Sequence, residues 1–192
     1  MVMLKLKTRG NDLKKVLIYG LDGSGKSTFA ETYCEDNNLN AVVIDVDDTN
    51  YTDLDLLDIE LTSDIIAYNN MKKIILEIKN SDYDTIVLDG VSSLIELLTP
   101  SSDKKDLGMR AYKIRADRFA SILQKLLKTG KNLIFIGQID MEVIYNDENQ
   151  SNKPVLKINS IVNEKYKCFC EKGNFKTETI KLRGVKNEQT QF

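Results

Sequence analysis

Continuous apolar runs separated by longer amphipathic stretches occupy most of the chain. Four runs of four to six residues predict strands: Val16–Tyr19, Asn40–Asp45, Thr85–Leu88 and Leu133–Ile136. Runs of this length with few polar interruptions are typical of parallel strands that are buried on both faces. The stretches between them predict helices: Lys26–Glu35, Asp53–Asn80, Ser92–Leu98 and Met109–Lys128. This alternation indicates a mostly parallel sheet covered by helices.

The pattern changes after the fourth of these strands. Asp140–Lys153 is polar and predicts a long loop. Three short alternating runs then predict further strands: Val155–Ile158, Tyr166–Cys170 and Phe175–Ile180. Lys172–Asn174 contains a glycine between the last two runs and predicts a hairpin turn. We therefore expect one three-layer α/β domain over residues 1–192, ending in a β-hairpin.

Length and composition fit one globular domain. A chain of 192 residues can bury one substantial core, and 42% hydrophobic with 29% charged residues is an ordinary composition. Residues 1–14 predict an N-terminal arm, either an added edge strand or a partner-binding segment, and Val185–Phe192 predicts a frayed tail. Three cysteines without a secretory apolar segment predict a cytoplasmic location. No apolar run approaches the roughly 20 residues that a membrane span needs, so we expect no membrane partner.

Charge is distributed unevenly although the net charge is only −2. Residues 35–64 contain ten carboxylates and no lysine or arginine, whereas residues 104–131 contain nine cations and two carboxylates. Such asymmetry is found on proteins that bind a polyanion, and it is also found on ordinary solvated helices. Charge alone therefore leaves both interpretations open.

The turn after the first strand carries the most specific chemical signal. It matches the phosphate-loop pattern G-x-x-x-x-G-K-S between Gly20 and Ser27. Glycines let the backbone approach a polyphosphate closely, and consecutive amides at a helix start bind its oxygens. The lysine places a cation on the phosphates, and the serine hydroxyl can bind Mg²⁺. We therefore expect ATP and Mg²⁺ at a site built from Gly20, Asp22, Gly23, Ser24, Gly25, Lys26, Ser27 and Thr28.

Three further polar positions follow predicted strands, where a parallel sheet binds its ligands. Asp89 ends an apolar strand and either binds Mg²⁺ opposite Ser27 or caps the next helix. Asp47 is a candidate for orienting the attacking water, with Asp45 as the alternative and a solvated acidic turn as a third interpretation. Gln138 either contacts the γ-phosphate and reports its loss or is an ordinary surface residue.

In order and spacing, three segments resemble the core of RecA-type recombinases: Ile44–Asp48, Ile86–Leu94 and Leu133–Ile139. The resemblance implies a catalytic acid in the first segment, an Mg²⁺-associated aspartate in the second and a glutamine that couples nucleotide state to a DNA-binding loop in the third. It covers residues 16–158 without the terminal domains of RecA. The chain therefore resembles most the Sak-type single-strand annealing proteins of bacteriophages, which consist of a minimal RecA core.

This resemblance implies a Mg²⁺-dependent ATPase that binds single-stranded DNA and promotes strand annealing. It also implies a ring or filament of identical subunits, a single-strand-binding protein as partner and a location in the host cytoplasm. The catalytic set that it predicts is Lys26, Asp47 and Gln138. An aspartate replaces the longer glutamate of RecA at Asp47, so we expect slow hydrolysis.

The basic stretch supplies the candidates for contact with DNA phosphates: Lys104, Lys105, Arg110 and Lys113. Lys104 and Lys105 occupy the position of the first DNA-binding loop of RecA. Arg115 and Arg118 follow on the same predicted helix, and Tyr112 is the one interleaved aromatic residue.

Two other functions fit the phosphate loop. A nucleoside or nucleotide monophosphate kinase fits the size of the chain, and Ala116–Ser121 is superficially similar to the Asp-Arg-aromatic motif of thymidylate kinases. That motif follows a strand in those kinases, whereas here it lies within a predicted helix. The other function is a nucleotide-gated adaptor for DNA replication, in which ATP controls assembly.

Overall fold

A computed structural model describes residues 13–49, 51–57, 59–100, 108–141 and 153–182. Its seven strands are β1 Lys15–Gly20, β2 Ala41–Asp45, β3 Asp55–Leu57, β4 Thr85–Asp89, β5 Asn132–Gly137, β6 Glu164–Glu171 and β7 Asn174–Leu182. Its five α-helices are α1 Lys26–Asp36, α2 Asp64–Lys79, α3 Val91–Leu97, α4 Gly108–Leu127 and α5 Lys153–Ile161. A short 3₁₀ turn, Ile139–Met141, follows β5.

The strands form one sheet in the order β3-β2-β4-β5-β1-β6-β7. All neighbouring pairs are parallel except the antiparallel hairpin of β6 and β7. The strand β5 lies between β1, which leads into the phosphate loop, and β4, which carries Asp89 at its end. The fold is therefore the predicted α/β fold with a RecA-like, mostly parallel sheet and a C-terminal β-hairpin.

Two hydrophobic clusters cover the two faces of this sheet. On one face, Met71 of α2, Phe119 of α4 and Ile158 of α5 pack into one cluster with alternate strand residues. On the other face, Ala30 and Cys34 of α1 pack against the remaining strand residues. Side chains alternate across a strand, so both faces of each central strand must be apolar, and this explains the continuous apolar runs.

The predicted helix Asp53–Asn80 is wrong in its first third. Asp55–Leu57 form β3, which pairs with β2, and α2 begins only at Asp64. The Ser63 hydroxyl accepts a hydrogen bond from the amide of Ile66 at 3.3 Å and so caps the start of the helix. Acidic residues and leucines alternate from Asp53 to Leu56, a period of two that fits a strand, and pairing with β2 at the sheet edge provides this backbone with hydrogen bonds.

The predicted strand Val155–Ile158 is also wrong, because these residues belong to helix α5. Val155, Ile158 and Val162 are buried at a helical spacing, whereas Leu156 is 44% exposed. A four-residue run is too short to distinguish a period of two from a period of 3.6. The buried strands, the other helices and the hairpin of β6 and β7 are confirmed within one or two residues at their ends.

Several predictions concern residues outside the described ranges. The N-terminal arm lies there except for its last two residues, as do the frayed tail, Lys104 and Lys105 and most of the polar loop before α5. Within the described ranges, none of the helices combines the length and apolar character required to cross a bilayer.

Candidate functional site

The phosphate loop connects the end of β1 to the start of α1. Gly23 and Gly25 have φ angles of 69° and 82°, in the left-handed region that glycine adopts without strain. Gly20 is required for a different reason, since a Cβ atom there would lie 2.2 Å from the carbonyl oxygen of Cys168 on β6. The three glycines therefore serve both the turn and the close packing of the loop against the sheet.

Two polar side chains of the phosphate loop, Lys26 and Ser24, differ in their hydrogen bonding. The Lys26 ammonium donates hydrogen bonds to the carbonyl oxygens of Leu21 at 2.8 Å and Gly20 at 3.4 Å. The Ser24 side chain is 4% exposed, and its hydroxyl has no hydrogen-bond partner among the described residues. Burial of a hydroxyl without a hydrogen-bond partner costs folding free energy, so the position of Ser24 in the loop fits a polar ligand there.

A cleft of about 580 Å³ opens above this loop at the carboxyl edge of the sheet. Its walls are Asp22, Gly23, Ser24, Gly25, Lys26, Ser27, Thr28, Asp47, Thr49, Asp89, Ser93, Gln138 and Phe175. Lys26, Asp47, Asp89 and Gln138 therefore line one cleft, although they are far apart in the chain. Seven of the eight predicted nucleotide-binding residues also line it, and Gly20 lies beneath it at the end of β1.

Asp89 is held at the floor of the cleft by two hydroxyl groups. Its Oδ2 accepts hydrogen bonds from Ser27 Oγ at 3.1 Å and from Tyr51 Oη at 2.5 Å. The side chain is 3% exposed, and burial is the main reason that the pKa of its carboxyl is raised, with the nearby Asp47 charge adding to the effect. Burial, together with the Asp89 carboxylate, raises the pKa of the Tyr51 phenol, which therefore stays a donor.

The two acidic candidates after β2 occupy different environments. The Asp45 carboxylate accepts hydrogen bonds from the backbone amides of Asp47 at 3.1 Å and Thr49 at 2.6 Å, so it stabilises the turn. Burial raises its pKa. Asp47 is exposed, lines the cleft and packs over Gly90 so closely that a Cβ atom there would lie 2.7 Å from its Cγ. Asp47 is therefore the acid that a ligand in the cleft can reach.

Gln138 joins the end of β5 to the phosphate loop. Its side-chain amide donates a hydrogen bond of 2.6 Å to Asp22 Oδ1. Its backbone amide donates to Ser92 Oγ at 3.0 Å, and the Ser92 hydroxyl donates to Asp140 Oδ1 at 2.7 Å. Hydrogen bonds of Gln138 and Ser92 therefore connect the phosphate loop with the start of α3 and with the segment after β5.

The oxygen groups at the floor fit a hard divalent cation. Ser27 and Asp89 offer a hydroxyl and a carboxylate 3.1 Å apart, and Asp47 adds a second carboxylate at the rim. Mg²⁺ is usually bound by one or two protein oxygens together with phosphate oxygens and water, rather than by a full protein cage. Within the described ranges, no group of three His, Cys, Asp or Glu side chains forms such a cage.

The predicted DNA-binding residues lie outside the cleft. Arg110 and Lys113 are exposed on the first two turns of α4. Farther along the helix, Arg115 lies over the Tyr112 ring with its Cζ 5.0 Å from the centroid. Arg118 forms an ion pair with Asp64 at 2.6 Å, which holds α4 against α2.

Arg118 of this ion pair belongs to Ala116–Ser121, the segment that is superficially similar to a motif of thymidylate kinases. The guanidinium of Arg118 also donates to the carbonyl of Leu98 at 3.0 Å, and neither it nor Asp117 is among the described residues that line the cleft. Arg118 therefore has a packing role between helices.

Two aromatic residues of the site were not predicted. Tyr51 lies two residues before the predicted helix Asp53–Asn80. It reaches Asp89 from the segment that connects β2 to its parallel neighbour β3. Phe175 was assigned to a strand but not to the site, and it reaches the loop because β6 pairs with β1. A tyrosine shortly after an acidic strand end is a weak signal for the first, and the sequence offers no signal for the second.

The parallel sheet, the phosphate loop after β1 and the aspartate at the end of β4, two strands away, define a P-loop ATPase of RecA-like fold. Residues 13–168 match the family model described as AAA domain (AAA_24), and the chain belongs to this family. A search of curated protein sequences gave no significant match.

Comparison with solved structures supports the same architecture. A KaiC-like protein of the hyperthermophilic archaeon Pyrococcus horikoshii superposes with a TM-score of 0.57 over 89% of this chain and 80% of its own. The two sequences are 14% identical, so the likeness concerns the fold.

Proposed function

We propose that the chain is a Mg²⁺-dependent ATPase that binds single-stranded DNA and promotes annealing of complementary strands. The observation that carries the ATPase part is the meeting of Lys26, Asp47, Asp89 and Gln138 in one cleft above the phosphate loop. The DNA part is supported by the segments that resemble RecA-type recombinases and by the exposed cations of α4.

In this proposal the loop binds and orients the triphosphate. Backbone amides from Gly23 to Ser27 surround the phosphates, and Lys26 turns from the loop carbonyls to the β- and γ-phosphate oxygens. Ser27 and Asp89 would hold Mg²⁺, which when bound neutralises charge on the phosphate oxygens. These groups supply the positioning and electrostatic stabilisation on which phosphoryl transfer depends.

Asp47 would orient the attacking water and accept its proton. Its carboxylate is exposed to the cleft, whereas the Asp45 carboxylate is occupied by backbone amides. The aspartate side chain is one methylene shorter than glutamate. It therefore reaches less far from the end of β2, and this supports the expectation of slow turnover.

Gln138 would report the loss of the γ-phosphate. It directly follows β5, the strand between β1 and β4, and its side chain hydrogen-bonds Asp22 of the phosphate loop. Through Ser92 its backbone is linked to Asp140, immediately before the polar segment that precedes α5. Such a connection can change the order of a segment when the phosphate leaves.

Single-stranded DNA would contact the start of α4. This helix has 20 residues, about 30 Å, and its last turn leads into β5 at the amino edge of the sheet. Its first turns, with Arg110 and Lys113, therefore lie toward the carboxyl edge, where the cleft is. Lys104 and Lys105, which precede them in sequence, belong to the same proposal for contact with DNA phosphates. Assembly as a ring or filament and action beside a single-strand-binding protein belong to the same proposal.

Phosphate release by the purified protein tests this function. We expect Mg²⁺- and ATP-dependent release that single-stranded DNA stimulates and Lys26→Ala abolishes, because the substitution removes the cation from the phosphates. Lys157→Ala, an exposed lysine on α5, is the charge-matched control and should behave as wild type. Transfer of phosphate to a nucleoside monophosphate would identify a kinase and overturn the proposal. ATP binding with no effect of DNA on turnover would overturn its DNA part.

A further inference from the structure

Phe175 is a large apolar side chain at the mouth of the cleft, and core packing does not account for it. It is 68% exposed, and neither hydrophobic cluster of the sheet includes it. Its ring lies against the phosphate loop, since a Cβ atom on Gly25 would be 3.1 Å from Phe175 Cδ1 and 3.3 Å from Cγ. An exposed aromatic ring in contact with a ligand-binding loop points to a contact with the ligand itself.

The hairpin of β6 and β7 fixes the position of this ring. Lys172 and Gly173 have φ angles of 52° and 80°, as a tight two-residue hairpin turn requires, and Phe175 pairs with Cys170 directly after this turn. The side chains of Glu171 and Lys176 form an ion pair within the same hairpin. Next to β7, β6 pairs with β1 in a register that places Cys168 beside Gly20. The pairing of β7 with β6 and of β6 with β1 therefore fixes the position of the ring relative to the phosphate loop.

The ring and the catalytic candidates lie on opposite sides of the loop. Asp47, Asp89 and Gln138 follow β2, β4 and β5, which are on one side of β1 in the sheet. Phe175 is the second residue of β7, which is two strands away from β1 on the other side. A triphosphate that lies along the loop with its terminal phosphate near Asp47 and Asp89 would therefore place its nucleoside on the side of Phe175.

We propose that Phe175 is the stacking platform for the nucleobase of the bound nucleoside triphosphate, with a preference for purines. A flat ring offers its face to any base, and a purine covers more of that face than a pyrimidine does. The family match ends at residue 168, so this contact comes from the part of the chain beyond it. The inference rests on the proposed function, because it places the phosphates on the loop.

Calorimetry with two Mg²⁺-bound ligands, ATP and inorganic triphosphate, separates the base from the phosphates. We expect Phe175→Ala to weaken ATP binding about tenfold and to leave the affinity for inorganic triphosphate within about twofold. Phe175→Tyr should keep wild-type affinity for both. Ile180→Ala, which removes another exposed apolar side chain of β7, is the matched control and should change neither. Wild-type protein should bind ATP more tightly than CTP, and Phe175→Ala should reduce this difference.

A second variant tests the contact while keeping an aromatic ring at position 175. The chain contains no tryptophan, so the indole of Phe175→Trp is its only tryptophan fluorophore and can be excited selectively over the tyrosines. We expect ATP, but not inorganic triphosphate, to quench its fluorescence. This measurement also serves if Phe175→Ala does not fold.

Equal effects of Phe175→Ala on the two ligands, or none on either, would overturn the stacking assignment. So would dissociation of an oligomer, seen by sedimentation, with unchanged ATP affinity, since the ring would then contact a second copy of the chain. If wild-type protein binds inorganic triphosphate and ATP equally, the base has no platform although the phosphate site stands. If it binds neither, the proposed function itself fails.

Discussion

The cleft at the carboxyl edge of the sheet and the exposed side of α4 differ in how their charged groups are held. In the cleft, Asp89 is almost fully buried and accepts two hydroxyl hydrogen bonds, and Gln138 bonds to Asp22. On α4, Arg110 and Lys113 are exposed, and neither forms an ion pair with another described residue. The first region has a fixed geometry, whereas the second offers charge without a fixed geometry.

This difference separates two kinds of recognition. A fixed cleft suits one small ligand, since the protein loses little freedom when the ligand binds. Exposed cations on long side chains suit a polymer of phosphates, which needs charge at many positions and no specific angle. The comparison therefore predicts large, position-specific effects of substitution in the cleft and small, additive, salt-dependent effects on α4.

Among the acidic residues of the cleft, the largest effect is expected at Asp47. Asp47→Asn keeps the shape of the side chain but cannot accept a proton, so turnover should fall about 100-fold or more, with ATP affinity within a few-fold of wild type. Steady-state phosphate release and calorimetry measure the two quantities.

Asp45→Asn is the matched control because it lies two residues earlier in the same acidic turn. Its carboxylate serves backbone amides, so this substitution should lower the melting temperature and reduce turnover much less than Asp47→Asn does. A greater loss of turnover in Asp45→Asn would exchange the roles of the two residues.

A smaller effect, about tenfold on turnover at limiting Mg²⁺, is expected for Asp89→Asn. The substitution keeps the hydrogen-bonding shape of the side chain but removes the charge that attracts the cation.

The Asp89 carboxyl should also make the stability of the wild-type protein depend on pH in a defined direction. Burial raises the pKa of Asp89 in the folded protein, so ionisation of this group costs stability. This cost is absent below the pKa of the unfolded chain and fully present above the pKa of the folded one.

Thermal melts without metal from acid to neutral pH therefore provide the test. The melting temperature of Asp89→Asn should rise relative to wild type as the pH increases, and Asp82→Asn, an exposed carboxylate, should show no such trend. A variant that becomes relatively less stable toward neutral pH would show that the ionised carboxylate stabilises the fold.

The parts of the site that could be predicted are those encoded by neighbouring residues. The glycines of the phosphate loop set the backbone locally, and Asp89 follows its apolar strand directly, so a short segment contains the whole signal for each. Asp47 and Gln138 were also placed at strand ends, and the parallel sheet then brings those ends together at one edge.

The parts that could not be predicted depend on tertiary pairing. Tyr51 reaches Asp89 only because β3 pairs with β2, and that pairing replaced the expected helical start. Phe175 reaches Gly25 only because β6 joins the sheet beside β1. Helix α5 was mistaken for a strand because its buried positions become periodic only when Val162, beyond the four-residue run, is included.

The smallest effects are expected on α4. Arg110→Ala combined with Lys113→Ala should weaken single-stranded DNA binding several-fold at moderate salt and reduce the slope of log affinity against log salt by about 1.4, because each lost phosphate contact on a single strand contributes about 0.7. The control removes two exposed lysines at the other end of this helix, one on its last turn and one directly after it, Lys125→Ala with Lys128→Ala. These lie toward the amino edge, away from the cleft, so the slope should stay at its wild-type value. An equal reduction of the slope by both double variants would show that the whole helix attracts DNA by its charge, without a surface specific to the start of α4.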